Sequence, residues 1–374
     1  MPKDLPKVLL TPHNEENPYL VNLRQSLCDL DVETDWFYLG RTRSQTLNAL
    51  LAPMSLWGRR RHGFNVLHIH WTYEFGWPAI DSIPILRRLP RIWFQGFLIF
   101  ARLIGFALVF TWHDVLPLNS AFDDESKSRS MMAKRLDRII TITNAAKKEI
   151  VSRWDVDDDI VDVIPEGPPL ILHTLPRNEA RHLLRVEDSV LISAFGHIDR
   201  YKGIDLLLQA ATLMTGEANF SIRILGVAVD PEYALELTGL VARLQGQGRD
   251  VSWTNRTFSN EELGTLLSAT DIVAIPFRRI TNSTTMRFGM ASGAVVILPR
   301  LEALTELPED AVERFEPDSV ESLKQVLDKL LLTWPKGVEQ RRAAAQLWVS
   351  DWSWSRVGDA TLRTYNLSLE RCQI

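Results

Sequence analysis

The chain has 374 residues, 45% hydrophobic and 24% charged, with a net charge of -5. That is length enough for two globular domains of ordinary composition, and the negative balance argues against bulk nucleic-acid binding. Two cysteines, Cys28 and Cys372, are too few for a metal framework or a disulfide scaffold; with no apolar leader-like stretch in Met1–Pro6, they predict a reducing, cytoplasmic setting.

In chain order, short apolar runs alternate with helical patterns. Strands are predicted at Lys7–Thr11, Val32–Phe37, Val66–Trp71, Phe106–Thr111, Arg138–Thr143 and Val161–Ile164. Helices are predicted at Pro18–Leu30, Ser44–Arg61 and Asn144–Trp154, the last with Asn144 as its cap. Near-continuous apolar strands with helical crossovers imply a parallel sheet covered on both faces. Prolines and a glycine in Pro165-Glu166-Gly167-Pro168-Pro169 deny both helix and central strand, which marks a linker.

The alternation then restarts. Strands are predicted at Val190–Phe195, Ser221–Leu225, Val251–Thr254, Asp271–Pro276, Val295–Leu298 and Val312–Phe315. Helices are predicted at Asp205–Met214, Glu232–Gln245, Asn260–Ser268 and Thr284–Ser292; Ser259 and Glu262 form a capping-box start for the third. An amphipathic tail follows Trp352-Ser353-Trp354-Ser355-Arg356.

Charge is unevenly spread. Between Arg41 and Arg102 there are nine arginines, no lysine, and only Glu74 and Asp81 as acids. The segment Pro90–Phe106 is interrupted by Gln95 and Arg102, which denies it the roughly 20 apolar residues of a membrane span. Two readings stay open: a buried helix with a basic face, or an interfacial helix. In the second, Arg59, Arg60, Arg61, Arg87, Arg88 and Arg91 attract an anionic membrane surface while Trp93, Phe94 and Phe97 insert.

The stretch Phe195–Asp205 is the most informative. A strand runs into a loop with Gly196, His197, Arg200, Lys202 and Gly203, and a helix follows. Helix N–H groups beside two cations suit a phosphate or diphosphate. This loop resembles the Gly-x-x-x-x-x-Lys-Gly loop of family 4 glycosyltransferases. So do His68-Ile69-His70-Trp71, Thr111-Trp112-His113-Asp114, Arg138–Asn144 and Val163–Gly167, in order and along most of the chain.

The resemblance implies an α/β, GT-B architecture: two Rossmann-like parallel-sheet domains facing across a cleft. Its boundaries here are 1–166 for acceptor binding, 167–350 for donor binding, and 351–374 for a helix crossing back to the first domain. It implies a metal-independent, retaining hexosyl transfer from a nucleoside diphosphate sugar, UDP- or GDP-linked, with no further cofactor. The acceptor is a saccharide, free or lipid-linked, reached from a peripheral position at the inner face of the plasma membrane. As catalytic residues it implies His113 on the sugar, and Lys202 and Arg200 on the diphosphate; relatives carry the second cation earlier, where this chain has His197. Donor binding falls to Gly196, His197, Glu166, Arg278, Asn282, Ser283, Thr284 and Thr285. Acceptor binding falls to Asn17, Tyr19, His70, Trp71, Glu74 and Asp114. Where many members carry a Glu-x7-Glu pair, this chain has Ile280 and Phe288.

Acidic runs at Asp123–Glu125 and Asp157–Asp159 sit in polar loops rather than behind strands and are expected to be solvated, not metal-binding. Neither Gly-x-Ser-x-Gly nor an early Gly-x-Gly-x-x-Gly is present, which disfavours a serine hydrolase and a nicotinamide dehydrogenase. A sugar-nucleotide epimerase and an inactive sugar-nucleotide-binding scaffold remain as alternatives.

Overall fold

The structure is a computed structural model describing residues 5–39, 42–77, 83, 86–115, 120–169, 174–214, 219–279 and 283–372. The chain divides into two compact units, Met1–Gly167 with Trp352–Ile374, and Pro168–Asp351.

In the first unit the elements are β1 (Lys7–Thr11), α1 (Pro18–Cys28), β2 (Glu33–Trp36), α2 (Gln45–Arg61), β3 (Val66–Ile69), α3 (Leu89–Leu103), β4 (Ala107–Trp112), α4 (Glu125–Ala133), β5 (Arg138–Thr141), α5 (Asn144–Trp154) and β6 (Val161–Val163). The sheet order is β2-β1-β3-β4-β5-β6, and every pairing is parallel. All six residues of β4 are buried, as expected of a central strand with both faces covered. Sequence order reverses direction at β1 and β3, and an open α/β sheet binds its ligand at the strand ends beside such a reversal.

The second unit contains α6 (Arg177–Leu184), β7 (Val190–Phe195), α7 (Ile204–Leu213), β8 (Phe220–Leu225), α8 (Pro231–Gly246), β9 (Asp250–Thr254), α9 (Asn260–Ala269), β10 (Ile272–Ala274), α10 (Thr284–Ala291), β11 (Val295–Pro299), β12 (Val312–Phe315), α11 (Val320–Thr333) and α12 (Val338–Asp351). Its parallel sheet runs β12-β11-β10-β7-β8-β9, with the reversal between β7 and β10. The chain then returns to the first unit as α13 (Trp354–Cys372), which packs on α1, β4 and β5.

One local expectation changes, and the choice left open for Pro90–Phe106 narrows. Thr143, not Asn144, caps α5: its hydroxyl accepts from the Ala146 N–H, and Asn144 is already helical. In α3, Phe94 and Phe97 are buried and Trp93 stacks on Phe97, so these aromatics belong to the core; the outward side carries Leu89, Ile92, Ile99 and Leu103. Arg91 is also turned inward and grips Asp123 through two hydrogen bonds, of 2.7 and 3.1 Å. Both acidic runs have structural work: Asp124 caps α4, Asp157 caps a single turn at Asp158–Ile160, and Lys147 pairs with Asp158.

Candidate active site

In the second unit the loop after β7 is built around close approaches. Gly196 takes φ +107°, and the Gly226 backbone after β8 lies so near the Gly196 carbonyl that any Cβ at 226 would collide with it. Asp199 caps the single turn Arg200–Lys202, and Gly203, at φ +62°, opens α7 against the Pro276 carbonyl. This geometry brings the Lys202 side chain back over Gly196. A methyl group at 196 would sit 2.7 Å from Lys202 Nζ and 3.7 Å from Thr285 Oγ1.

Lys202, Gly196 and Thr285 therefore meet where the N-terminal ends of α7 and α10 flank the sheet reversal. Lys202 is only 7% exposed and makes no ion pair among the described residues; its ammonium lies 5.2 Å from the Phe277 ring centroid. Burial pulls its pKa down to about 8, partly offset by Asp199. Ser283 caps α10, accepting from the Met286 N–H at 3.0 Å. Thr284 and His197 are exposed, and Asn282 lies outside the described residues.

Arg200, expected on the diphosphate, is placed elsewhere. It reaches Asp230 and Glu236 at 3.0 Å each and lies over the Tyr233 ring at 4.9 Å, drawn by the acidic first half of α8. Arg278 is likewise engaged: it clasps Asp205 at 2.9 and 2.6 Å, Asp318 at 2.9 Å and the Arg200 carbonyl at 2.6 Å. These pairs leave it fastening the start of α7 beside a cavity of about 440 Å³ lined by Asp199, Tyr201 and Arg279.

In the first unit an aromatic and imidazole cluster occupies the strand ends. His70 Nδ1 and His113 Nε2 are 3.3 Å apart, and Trp71 stacks on the His113 ring at 4.3 Å and 9°. Tyr19 sets its edge to His113 at 4.8 Å and also meets His70 and Trp354. Asn17 orders this corner by capping α1 through the Tyr19 and Leu20 N–H groups. Behind them His68 is held at both nitrogens, by Tyr365 Oη at 2.7 Å and Thr111 Oγ1 at 2.7 Å.

Charge is kept out of this cluster. Burial pushes the His113 imidazole down to about 3, helped by Arg129; burial does the same to His68, and His70 also falls well below its ordinary value. His70 Nε2 is buried without a partner among the described residues. Arg129 is itself buried over the Phe110 and Trp112 rings, with its nearest carboxylate, Glu125, at 3.7 Å. Glu74 sits on the turn after β3, half buried, and Asp114 is exposed. Glu166 belongs to this unit, where its charge acts on Tyr19 after the larger effect of burial. Among the described residues no three metal-ligating side chains cluster.

Sequence reasoning missed Tyr365, Thr285's meeting with Lys202, and Gly226. A glycine directly after a strand, as at Gly226, is the sort of signal that marks a close backbone approach; Tyr365 lies 297 residues from its partner His68 and leaves no local trace.

Residues 189–333 match the family described as Glycosyl transferases group 1. That match falls within the second unit, and the chain is similar to GT-B glycosyltransferases of the family 4 kind. It is 26% identical over 248 residues to an MMP alpha-(1->4)-mannosyltransferase of Mycolicibacterium hassiacum, covering 64% of this chain and 56% of that one. The chain thus spans little more than half the length of that relative. A second relative, a GDP-mannose:glycolipid 4-beta-D-mannosyltransferase of Xanthomonas campestris pv. campestris, is 23% identical over 95% of this chain and 89% of its own. In fold the chain is similar to HepE of Anabaena, solved in complex with UDP-glucose, with a TM-score of 0.69, 14% identity, and coverage of 96% and 98%.

Proposed function

We propose that this chain transfers a hexosyl unit from a UDP- or GDP-linked sugar to a hydroxyl of a saccharide acceptor, free or lipid-linked. The observation that carries this reading is Lys202: a desolvated ammonium with no ion pair among the described residues, held over a glycine between two helix N-termini. A buried cation kept unpaired is costly, and a diphosphate would satisfy it. Negative charge grows on the leaving diphosphate as the anomeric bond breaks; Lys202, the N–H groups of α7 and the Thr285 hydroxyl would stabilise that charge with no metal ion needed. Donor binding thus falls to the second unit.

Acceptor binding falls to the first. Trp71, Tyr19 and His113 offer aromatic faces and neutral imidazole hydrogen bonds, which suit sugar rings and hydroxyls. The family resemblance implies retention, in which the leaving phosphate itself takes the acceptor proton; the relatives' names carry both alpha and beta linkages.

An anionic membrane surface is the second partner in this reading. No helix among the described residues is long and apolar enough to cross a membrane. One face of α2 exposes Leu47, Leu50, Leu51, Met54 and Trp57, beside the outward Ile92 and Leu103 of α3. Arg59 is tied to Asp35 and Arg60 to the Ile104 carbonyl, so the apolar residues rather than the arginine run would carry peripheral binding at the inner face of the plasma membrane, in the cytoplasm.

Titration calorimetry with UDP and GDP, followed by turnover of UDP-glucose and GDP-mannose with saccharide acceptor mixtures, tests the reading. Binding of one nucleotide and transfer of its sugar is expected. Absence of binding to both would end it, and release of an epimerised sugar nucleotide would replace it with epimerase chemistry.

A further inference from the structure

We propose that the groove between α1 and β2 is a saccharide subsite, holding a sugar residue of the acceptor beyond the one that receives the hexosyl unit. Calling its occupant part of an acceptor rests on the transferase reading; the sugar-binding chemistry does not.

The groove lies wholly within the first unit and encloses about 370 Å³, inside the range of about 300–1,000 Å³ of small-molecule sites. Its helical wall is one stripe of α1: Val21, Arg24, Gln25 and Cys28 follow the spacing of three and four residues that lines up side chains on a helix. Glu15, on the loop after β1, and Trp36, the last residue of β2, complete the lining. β2 is the edge strand of its sheet, so no neighbouring strand among the described residues covers this side. The same helix sends Tyr19 toward His70 and His113. One face of α1 thus serves the imidazole cluster and another serves the groove.

Two donors in the lining lack acceptors. Trp36 is only 7% exposed, and its Nε1 is buried without a partner among the described residues. A buried indole N–H ordinarily finds a partner, and leaving it without one is costly. Arg24 Nε is likewise buried and unpartnered, and Arg24 forms no ion pair among the described residues. Both groups are held in place. The Arg24 guanidinium lies 5.6 Å from the Trp36 ring centroid, and His13 meets the same indole edge to face at 5.4 Å and Tyr38 at 5.1 Å.

An acceptor group is present as well. Glu15 keeps 66% of its side chain exposed, and its nearest charged neighbour is His13 at 3.6 Å. Gln25 is steadied by its amide nitrogen, which donates to Asp29 at 2.8 Å. A phosphate or carboxylate would suit Arg24 but would be repelled by Glu15 in the same lining. A sugar uses the whole set. Its hydroxyls accept from the indole and the guanidinium and donate to the carboxylate, while its C–H face packs on Val21 and Trp36.

The test observes the full chain directly. Labelling with ¹⁵N-tryptophan gives indole N–H signals, and Trp36→Phe identifies that of Trp36. D-glucose, D-mannose and D-galactose are titrated separately, and inorganic phosphate is titrated as the control. The Trp36 signal should move saturably with at least one hexose and stay still with phosphate. No movement with any of the three hexoses overturns the proposal. Movement with phosphate and with no hexose also overturns it, by making the groove an anion site. Arg24→Met, which keeps an apolar cover over the ring, should weaken hexose binding at least about tenfold, with the remaining tryptophan signals unchanged as the sign of an intact fold. Parent-like hexose binding in that variant overturns the proposal. Arg24→Met should bind UDP or GDP as the parent does, since the nucleotide belongs to the second unit in the proposed function. A parent that binds neither nucleotide, yet whose Trp36 signal follows a hexose, would end the transferase reading while upholding the groove as a sugar site.

Discussion

The two units solve opposite electrostatic problems at equivalent places, the strand ends beside a sheet reversal. The first holds His68, His70 and His113 neutral by burying them among rings. The second forces a positive charge into a half-dry site, with Lys202 packed over Gly196 and Phe277. On the proposed function, one surface would suit uncharged hydroxyls and the other an anion.

The largest expected effect tests the neutral side. The folded pKa values of these histidines lie below the ordinary 6.5, so the unfolded chain takes up protons that the folded one refuses as pH drops. Stability is then fully present above about 6.5 and is lost on acidification toward 3. Urea unfolding should show a loss of about 2–4 kcal/mol between pH 7 and pH 5. A flat profile would mean that these rings are hydrated.

Next comes the cationic side. Lys202→Ala should weaken UDP or GDP binding at least tenfold by calorimetry, from a charge-assisted contact of about 1.5–3 kcal/mol. In the parent, affinity should also fall as pH rises through about 8 and the ammonium deprotonates, with no such fall in the variant. Unchanged affinity would remove the loop from the site.

Smaller effects sharpen the contrast. Tyr365→Phe leaves His68 Nδ1 buried without its partner and should cost about 1–2 kcal/mol in thermal or denaturant unfolding. Arg200→Ala should change nucleotide affinity by less than about threefold, because its guanidinium already serves exposed carboxylates. A loss as large as that from Lys202→Ala would return Arg200 to the diphosphate.

Much of the fold was legible because its strands are unbroken apolar runs: β1 and β7 begin and end where the pattern does. Helices α6, α11 and α12 were not singled out. In α6 only Ala180 is buried, so no apolar stripe announces it. The loop after β7 was legible through its glycines and cations, since positive φ and close backbone contact demand glycine. Side-chain direction was not: Arg200 and Lys202 stand two residues apart, and only the acids of α8 decide that one is drawn away while the other turns back. The sequence left the aromatic face of α3 open between core and membrane surface, because hydrophobicity alone does not say which large side chains the core has room for.

The Tyr365–His68 contact gives the chain an unusual assembly order. Translation makes the β3 strand early, yet its buried imidazole waits for a partner 297 residues further along the chain. The first unit is therefore completed only after the second has been made, and a ribosome stalled short of α13 would leave His68 without Tyr365.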